Sequence, residues 1–319
     1  MGGGIAAFHD AVAFARQNLP VPTHQNRADR HLAPRGGGFG FGHGTSHVVF
    51  VGQGSLFPFA GAQTMPRTMT EETGGGDRIA KVIARAGICS RRDAEKLIAE
   101  GRVSLNGETV TQPGTKVGEY DVVAVDGKPL AEPEAPRLFR YHKPAGLVTT
   151  HKDEKGRATV FANLPKTLPR VISIGRLDVN SEGLLLLTND GGLARRLEIP
   201  ASGWVRKYRA RVFGKIGQPD LEKLAEGITI DGVKYGSVIA DLERSKGMYS
   251  WVSVALKEGK NREVKRLMEH LGCKVARLIR VQYGPFHLGQ LAEGAVEEIP
   301  TRLWREQLGI GRKKRERKD

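Results

Sequence analysis

Asp178 closes the string Gly175-Arg176-Leu177-Asp178, just ahead of four consecutive leucines, Leu184 to Leu187. A carboxylate between a strand end and a glycine-containing turn can act as nucleophile or general base when a nearby cation keeps it ionised. The same spacing suits a turn or helix-capping aspartate, and spacing alone favours that plainer role. Other chemistries lack their parts. Between 137 and 310 the histidines are His142, His151, His270 and His287, without metal-ligand spacing, and there is no G-x-S-x-G elbow, Walker loop or C-x-x-C pair. Cys89 and Cys273, the two cysteines of the chain, can form neither a disulfide framework nor a four-cysteine zinc site, which fits a reducing compartment. His43 and His47 have helical spacing for a metal pair, but they sit in a glycine-rich run without a glutamate partner. No metal site and no cofactor are expected.

The elements that must position Asp178 read as mixed α+β rather than as repeating βαβ units. Leu138 to His142 is strand-like, Lys143-Pro144-Ala145-Gly146 is a turn, and Leu147 to Thr150 resumes extended structure. Gly183 to Thr188 reads as a buried strand that ends at Asn189-Asp190-Gly191-Gly192 and leads into a helix carrying Arg195 and Arg196. Tyr208 to Phe213 and Trp251 to Leu256 alternate like sheet strands. Val264, Leu267, Met268 and Leu271 form one apolar helix face closed by Gly272, with Arg262, Lys265, Arg266 and Glu269 opposite.

The chain has 319 residues, 50 Lys+Arg against 35 Asp+Glu, a formal charge of +15 and 39% hydrophobic residues. Such a length suggests two domains with real cores. No apolar stretch approaches the roughly 18–20 residues that span a bilayer. The positive excess favours a polyanionic partner, nucleic acid first. Residues 1–76 differ from the rest: they hold 15 of the 41 glycines, 7 of the 11 phenylalanines and no lysine. They contain 5 basic and 4 acidic side chains, so the excess lies almost wholly beyond them. No helical or strand period is sustained there, which predicts a disordered extension. The abrupt shift in composition is also what an over-extended reading frame, with its true start at Met65 or Met69, would give. Residues 311–319, with the run Arg312 to Lys318, read as a disordered basic tail.

Residues 77–136 form a smaller unit. Ile79, Val82, Ile83 and Ala86 recur at helical spacing up to Gly87, and Ser90 with Asp93 reads as a capping box opening a second helix that Gly101 ends. A strand at Val103 to Leu105, the turn Asn106-Gly107, a returning strand near Thr109-Val110 and another at Val122 to Val125 follow. Pro129, Pro133 and Pro136 mark a stiff linker. The two helices would gather Arg85, Arg91, Arg92, Lys96 and Arg102 near one surface. The run ARAGICSRRDAEKLIAEGRVSLNG resembles the alpha-L RNA-binding motif, the S-four type domain of ribosomal proteins and RNA-modifying enzymes. That resemblance implies phosphate contacts at Arg91, Arg92, Lys96 and Arg102, which give affinity and salt dependence rather than sequence choice.

The string ISIGRLDVNSEGLLLLTNDGGLA resembles the catalytic motif of the pseudouridine synthases that act on ribosomal RNA. Four further blocks occur in the expected order: YHKPAGLVTT, RKYRARVFG, EGKNREVKRLMEHLG and RLIRVQYGPFHLGQL. The pieces GRATVFANLP, GRLDVNSEGLLLLTNDG and YRARVFG are most similar to the branch acting on the large subunit. The resemblance spans about residues 77–308. It implies an α+β chain with an alpha-L domain at 77–136 and a mixed, mainly antiparallel-sheet catalytic domain at 137–310. It implies that Asp178 is the catalytic aspartate, that Tyr208 stacks on the target base and assists proton removal, and that Lys265 pairs with Asp178. It sets Leu267 near the uracil and gives Arg176 a part in holding the RNA. Serine stands at 181 where the family often has threonine, which keeps the hydroxyl. The implied partner is ribosomal RNA or a pre-ribosomal particle, met by a monomer in the cytoplasm, with no membrane involved. The rival reading is a non-catalytic RNA-binding assembly factor, which would tolerate Asp178→Asn.

Overall fold

The computed structural model describes residues 76–199 and 203–310. The basic tail, His43, His47 and all of the glycine-rich extension except Gly76 lie outside these residues.

The smaller unit begins with β1 (Asp77–Arg78), α1 (Ile79–Arg85) and α2 (Arg91–Ala99). Gly87, at φ +80°, ends the first helix in a conformation that other residues resist. Ser90 opens the second: its hydroxyl accepts from the Asp93 amide at 3.1 Å and donates to the Asp93 carboxylate at 2.6 Å. Then come β2 (Val103–Leu105), β3 (Glu108–Thr109), β4 (Lys116–Val117), β5 (Val123–Val125) and β6 (Lys128–Pro129). They form a sheet in the order β3-β2-β5-β6, with β1 paired separately to β4. Asn106-Gly107 and Asp126-Gly127 both take positive φ, the tight-turn geometry that matches strand twist. Ile79, Ile83, Ala94, Ile98, Val103 and Val125 fill a core of their own. Pro129 pairs with Ala124 in an outer strand and therefore does not belong to the linker. An edge position tolerates its missing N–H.

The larger unit is built on β7 (Leu138–Lys143), β8 (Ile172–Ile174), β9 (Ser181–Thr188), β10 (Arg206–Phe213), β11 (Ile228–Ile230), β12 (Val233–Tyr235), β13 (Val238–Lys246), β14 (Tyr249–Leu256), β15 (Lys274–Tyr283), β16 (Phe286–His287) and β17 (Val296–Ile299). The helices are α3 (Gly191–Glu198), α4 (Gln218–Glu222), α5 (Glu263–His270) and α6 (Thr301–Gln307). The main sheet runs β13-β14-β10-β15-β9-β7-β17, with β16 added to β15 and β8 to β9, while β11 and β12 pair apart. Every pairing is antiparallel except β9 with β15. Leu147 to Thr150, read as extended, makes only an isolated bridge, Val148 to Thr159. All eight residues of β9 are buried, as a central strand covered on both faces requires. Leu184 and Leu186 enter one core cluster, Leu185 and Leu187 another.

The parallel seam forces one residue choice. Gly183 lies opposite Arg280 at φ +100°, and a Cβ there would sit 2.3 Å from the Arg280 carbonyl oxygen. Gly183→Ala is expected to destabilise the domain by more than about 3 kcal/mol through backbone clash and strain. Denaturant unfolding checks it; a variant within 1 kcal/mol of the parent would show that the strands can part there.

Candidate active site

The loop from Gly175 to Asn180 enters β9 and carries Asp178. Its backbone is fixed from three sides. Gly175, at φ +68°, donates its N–H to Glu198 at the end of α3 at 2.6 Å. The Thr149 hydroxyl donates to the Leu177 carbonyl at 2.9 Å. The Gly146 N–H donates to the Val179 carbonyl at 2.8 Å. Lys143 completes the fixing: its side chain is wholly buried, and its ammonium donates to the carbonyls of Pro144, Val179 and Ser181 at 2.9, 3.1 and 2.9 Å. Burial brings the Lys143 pKa down to about 8, against the attraction of Glu182 and Asp178.

The Lys265 ammonium donates to Asp178 Oδ2 at 3.0 Å. Its side chain is 11% exposed and that of Asp178 35% exposed. Lys265 thus points inward from α5, although the helical pattern placed it among solvated charges. Asp178 borders a cleft of about 270 Å³ whose walls include Leu177, Tyr208, Leu256, Val264, Leu278 and Tyr283. Arg176, exposed, is at the rim, where the cleft opens into a hollow of about 810 Å³ bordered by Lys152, Lys260, Arg262 and Lys265. Tyr208 stands on β10 opposite Arg280 of β15 and Val254 of β14, half-buried, and its hydroxyl has no hydrogen bond among the described residues. The arrangement offers a paired carboxylate, an aromatic platform and apolar walls, sized for one flat ring with its attached sugar.

One expected site residue sits elsewhere, and another carries exposed ion pairs. Leu267 is fully buried in the core cluster of the main sheet and does not line the cleft; Val264, one turn earlier on α5, does. The apolar period marks both residues as inward-facing without telling core from cavity wall. Arg102 is held by Asp126 through two hydrogen bonds, at 2.8 and 2.7 Å, and by Glu100 at 3.1 Å, so its guanidinium is already paired. Arg91, Arg92 and Lys96 remain exposed on α2.

Two charged groups in the cleft wall were not foreseen. Glu263 and Arg280 are 4% and 3% exposed, and each keeps one side-chain atom without a hydrogen-bond partner among the described residues. Glu263 accepts from the Lys260 amide at 2.9 Å through its other oxygen, and burial pushes its carboxyl pKa up. Arg280 donates to the Leu184 carbonyl at 2.8 Å. Only their position inside two of the blocks hinted at a role, since charge in a sequence ordinarily means solvent. Among the described residues no group of three or more His, Cys, Asp or Glu could hold a metal ion, and no helix is long and apolar enough to cross a membrane.

The family model for RNA pseudouridylate synthase matches residues 137–270, and that for the S4 domain matches residues 77–123. An uncharacterized RNA pseudouridine synthase of Rickettsia felis is 49% identical over 226 residues, covering 71% of this chain and 98% of the relative. The chain belongs to the RNA pseudouridine synthases. This synthase is also similar to the ribosomal large subunit pseudouridine synthase B of Yersinia pestis, 40% identical over 67% of this chain and 69% of the relative. The protein of the same name from Haemophilus influenzae is 39% identical over 75% and 69%. A crystal structure of a pseudouridylate synthase matches with a TM-score of 0.53 at 28% identity, covering 72% of this synthase and 99% of that chain.

Two outcomes follow from the buried charges. A Glu263 carboxyl with a raised pKa disfavours the folded state above that pKa, and the penalty fades as pH falls through it. Glu263→Gln is therefore expected to stabilise the synthase by about 1 kcal/mol at pH 7.5 and by progressively less towards pH 4, read by denaturant unfolding. For Lys143 the unfolded chain keeps its proton to about pH 10.5 while the folded one releases it near 8. The cost of the buried charge, full below pH 8, is relieved as pH rises from 8 towards 10.5. The stability of the parent relative to Lys143→Met should climb across that window; a difference flat in pH would refute it.

Proposed function

We propose that this synthase converts a uridine of ribosomal RNA, in the large subunit, to pseudouridine, with Asp178 acting on a base turned out of the RNA stack. The observation that carries the reading is the Asp178–Lys265 pair at the edge of a cleft that offers Tyr208 and apolar side chains beside several cations. The similarity to relatives named for the large subunit supports the choice of RNA.

In the isomerisation the bond between ribose C1′ and uracil N1 breaks, the ring turns, and a bond from C1′ to C5 forms. The C5 proton is lost and N1 gains one, so the product is an isomer of the substrate and no group donor or oxidant enters the balance. Asp178 serves as the nucleophile or base that starts the sequence, and Lys265 compensates its charge in the enclosed site. Tyr208 offers a face on which the extruded base stacks, and its hydroxyl, without a hydrogen bond among the described residues, is suited to helping the C5 proton away. Leu177, Leu256, Val264 and Leu278 give the cleft apolar surface against which a detached base can be held.

The test is a map of pseudouridines in both ribosomal RNAs from cells that have or lack the gene. One large-subunit position should depend on the protein and be restored by the parent but not by Asp178→Asn. With purified protein, Asp178→Asn should lose at least about 1,000-fold in rate while RNA affinity stays within about threefold. Lys265→Met should lose about 100-fold. Unchanged maps in the absence of the protein would refute the reading.

A further inference from the structure

A second cleft, of about 670 Å³, lies between the S4 unit and the larger unit, and its walls carry five cations: Lys81, Arg85, Arg91, Arg170 and Arg195. Asp190 and Glu198 are the two carboxylates that line it. Both are engaged. Asp190 caps α3 by accepting the Leu193 amide at 2.6 Å and lies 3.6 Å from Arg85, and Glu198 accepts the Gly175 amide. Lys81 is paired with Asp77.

Arg91, Arg170 and Arg195 are different. None has a carboxylate partner among the described residues, although they come from three separate segments: the start of α2, the loop before β8, and the outer face of α3. Three guanidinium groups that line one groove without an ion-pair partner leave it an excess of positive charge that favours a polyanion. Flat, forked donors suit phosphate oxygens in particular. The groove also has an address. Glu198 borders both it and the catalytic cleft, so a strand leaving Asp178 can pass directly into it.

We propose that this cleft binds the phosphodiester backbone of the RNA strand flanking the target uridine, with Arg91, Arg170 and Arg195 contacting successive phosphates. The proposal rests on the reading of the synthase as an RNA-modifying enzyme and adds a second anchoring surface to it, shared between the two units. Arg170 and Arg195 are the decisive residues because they belong to the larger unit. A substrate held by the S4 unit alone would not need them.

The experiment measures binding of large-subunit ribosomal RNA transcripts by the full chain at several salt concentrations. The variants are Arg170→Gln, Arg195→Gln, the pair together and, as a control for net charge, Lys246→Gln on the exposed end of β13. Each arginine change should weaken binding about five- to tenfold at 150 mM salt and flatten the slope of log affinity against log salt by about 0.7–0.9, the pair by twice that. Lys246→Gln should leave the slope unchanged. Slopes for the arginine variants equal to that of Lys246→Gln would overturn the proposal. So would competition by polyglutamate as strong as by RNA of equal charge, which would point to an acidic protein segment as occupant. Thermal unfolding of each variant separates lost contacts from lost fold. Because binding is read without product formation, a chain that holds RNA through these arginines yet makes no pseudouridine would sink the catalytic reading and leave the cleft standing.

Discussion

Three carbonyl oxygens, from Pro144, Val179 and Ser181, converge on one buried ammonium, Lys143, and the direction of Asp178 follows from that convergence. A short loop with a glycine at its start has little stiffness of its own. Here it is tied at both ends and in the middle: by Glu198 at Gly175, by Thr149 at Leu177, and by Lys143 with Gly146 at Val179. The block YHKPAGLVTT thus supplies the scaffold of the loop that bears the carboxylate, and the two segments make one device.

Charge is buried in this domain only where it is answered. Asp178 has Lys265, Glu182 has the forked Arg277 at 2.7–3.1 Å, and Lys143 has its three carbonyls. Removing one member of such a set strands the other in a medium that solvates it poorly. Glu263 and Arg280 are the partial exceptions, each with one atom unanswered among the described residues, and both border the cleft beside Asp178. A wall that keeps unpaired polar atoms beside apolar side chains is tuned for something other than maximal stability.

Much of this was legible in the residue order. The glycine after α1, the serine before α2, the paired turns Asn106-Gly107 and Asp126-Gly127 and the leucine strand all act locally, so their chemistry speaks through adjacent residues. The pairing of Asp178 with Lys265, 87 residues apart, could be expected only through the motif, because no periodicity links such distant positions. What stayed hidden has a common cause. Hydrophobic period reports which way a side chain faces but not what it meets, so Leu267 and Val264 look alike although one is core and the other cleft wall. Charge likewise suggests solvent, which is why Lys143 reads as part of a turn, and the residue order does not show that Arg102 carries ion pairs. Most of their partners, Val179, Ser181 and Asp126, come from distant segments.

The single parallel contact in the main sheet, β9 beside β15, has one last consequence. Strands running the same way cannot be joined by a hairpin, so the segments on either side of the seam must arrive from far apart along the polypeptide. Lys143, Asp178, Tyr208, Lys265 and Arg280 meet only when nearly the whole domain has come together. High separation of this kind makes assembly late and cooperative. A nascent or clipped chain therefore carries no part of this cleft in its finished geometry, and the Asp178–Lys265 contact becomes an all-or-none gauge of whether a given molecule has finished folding.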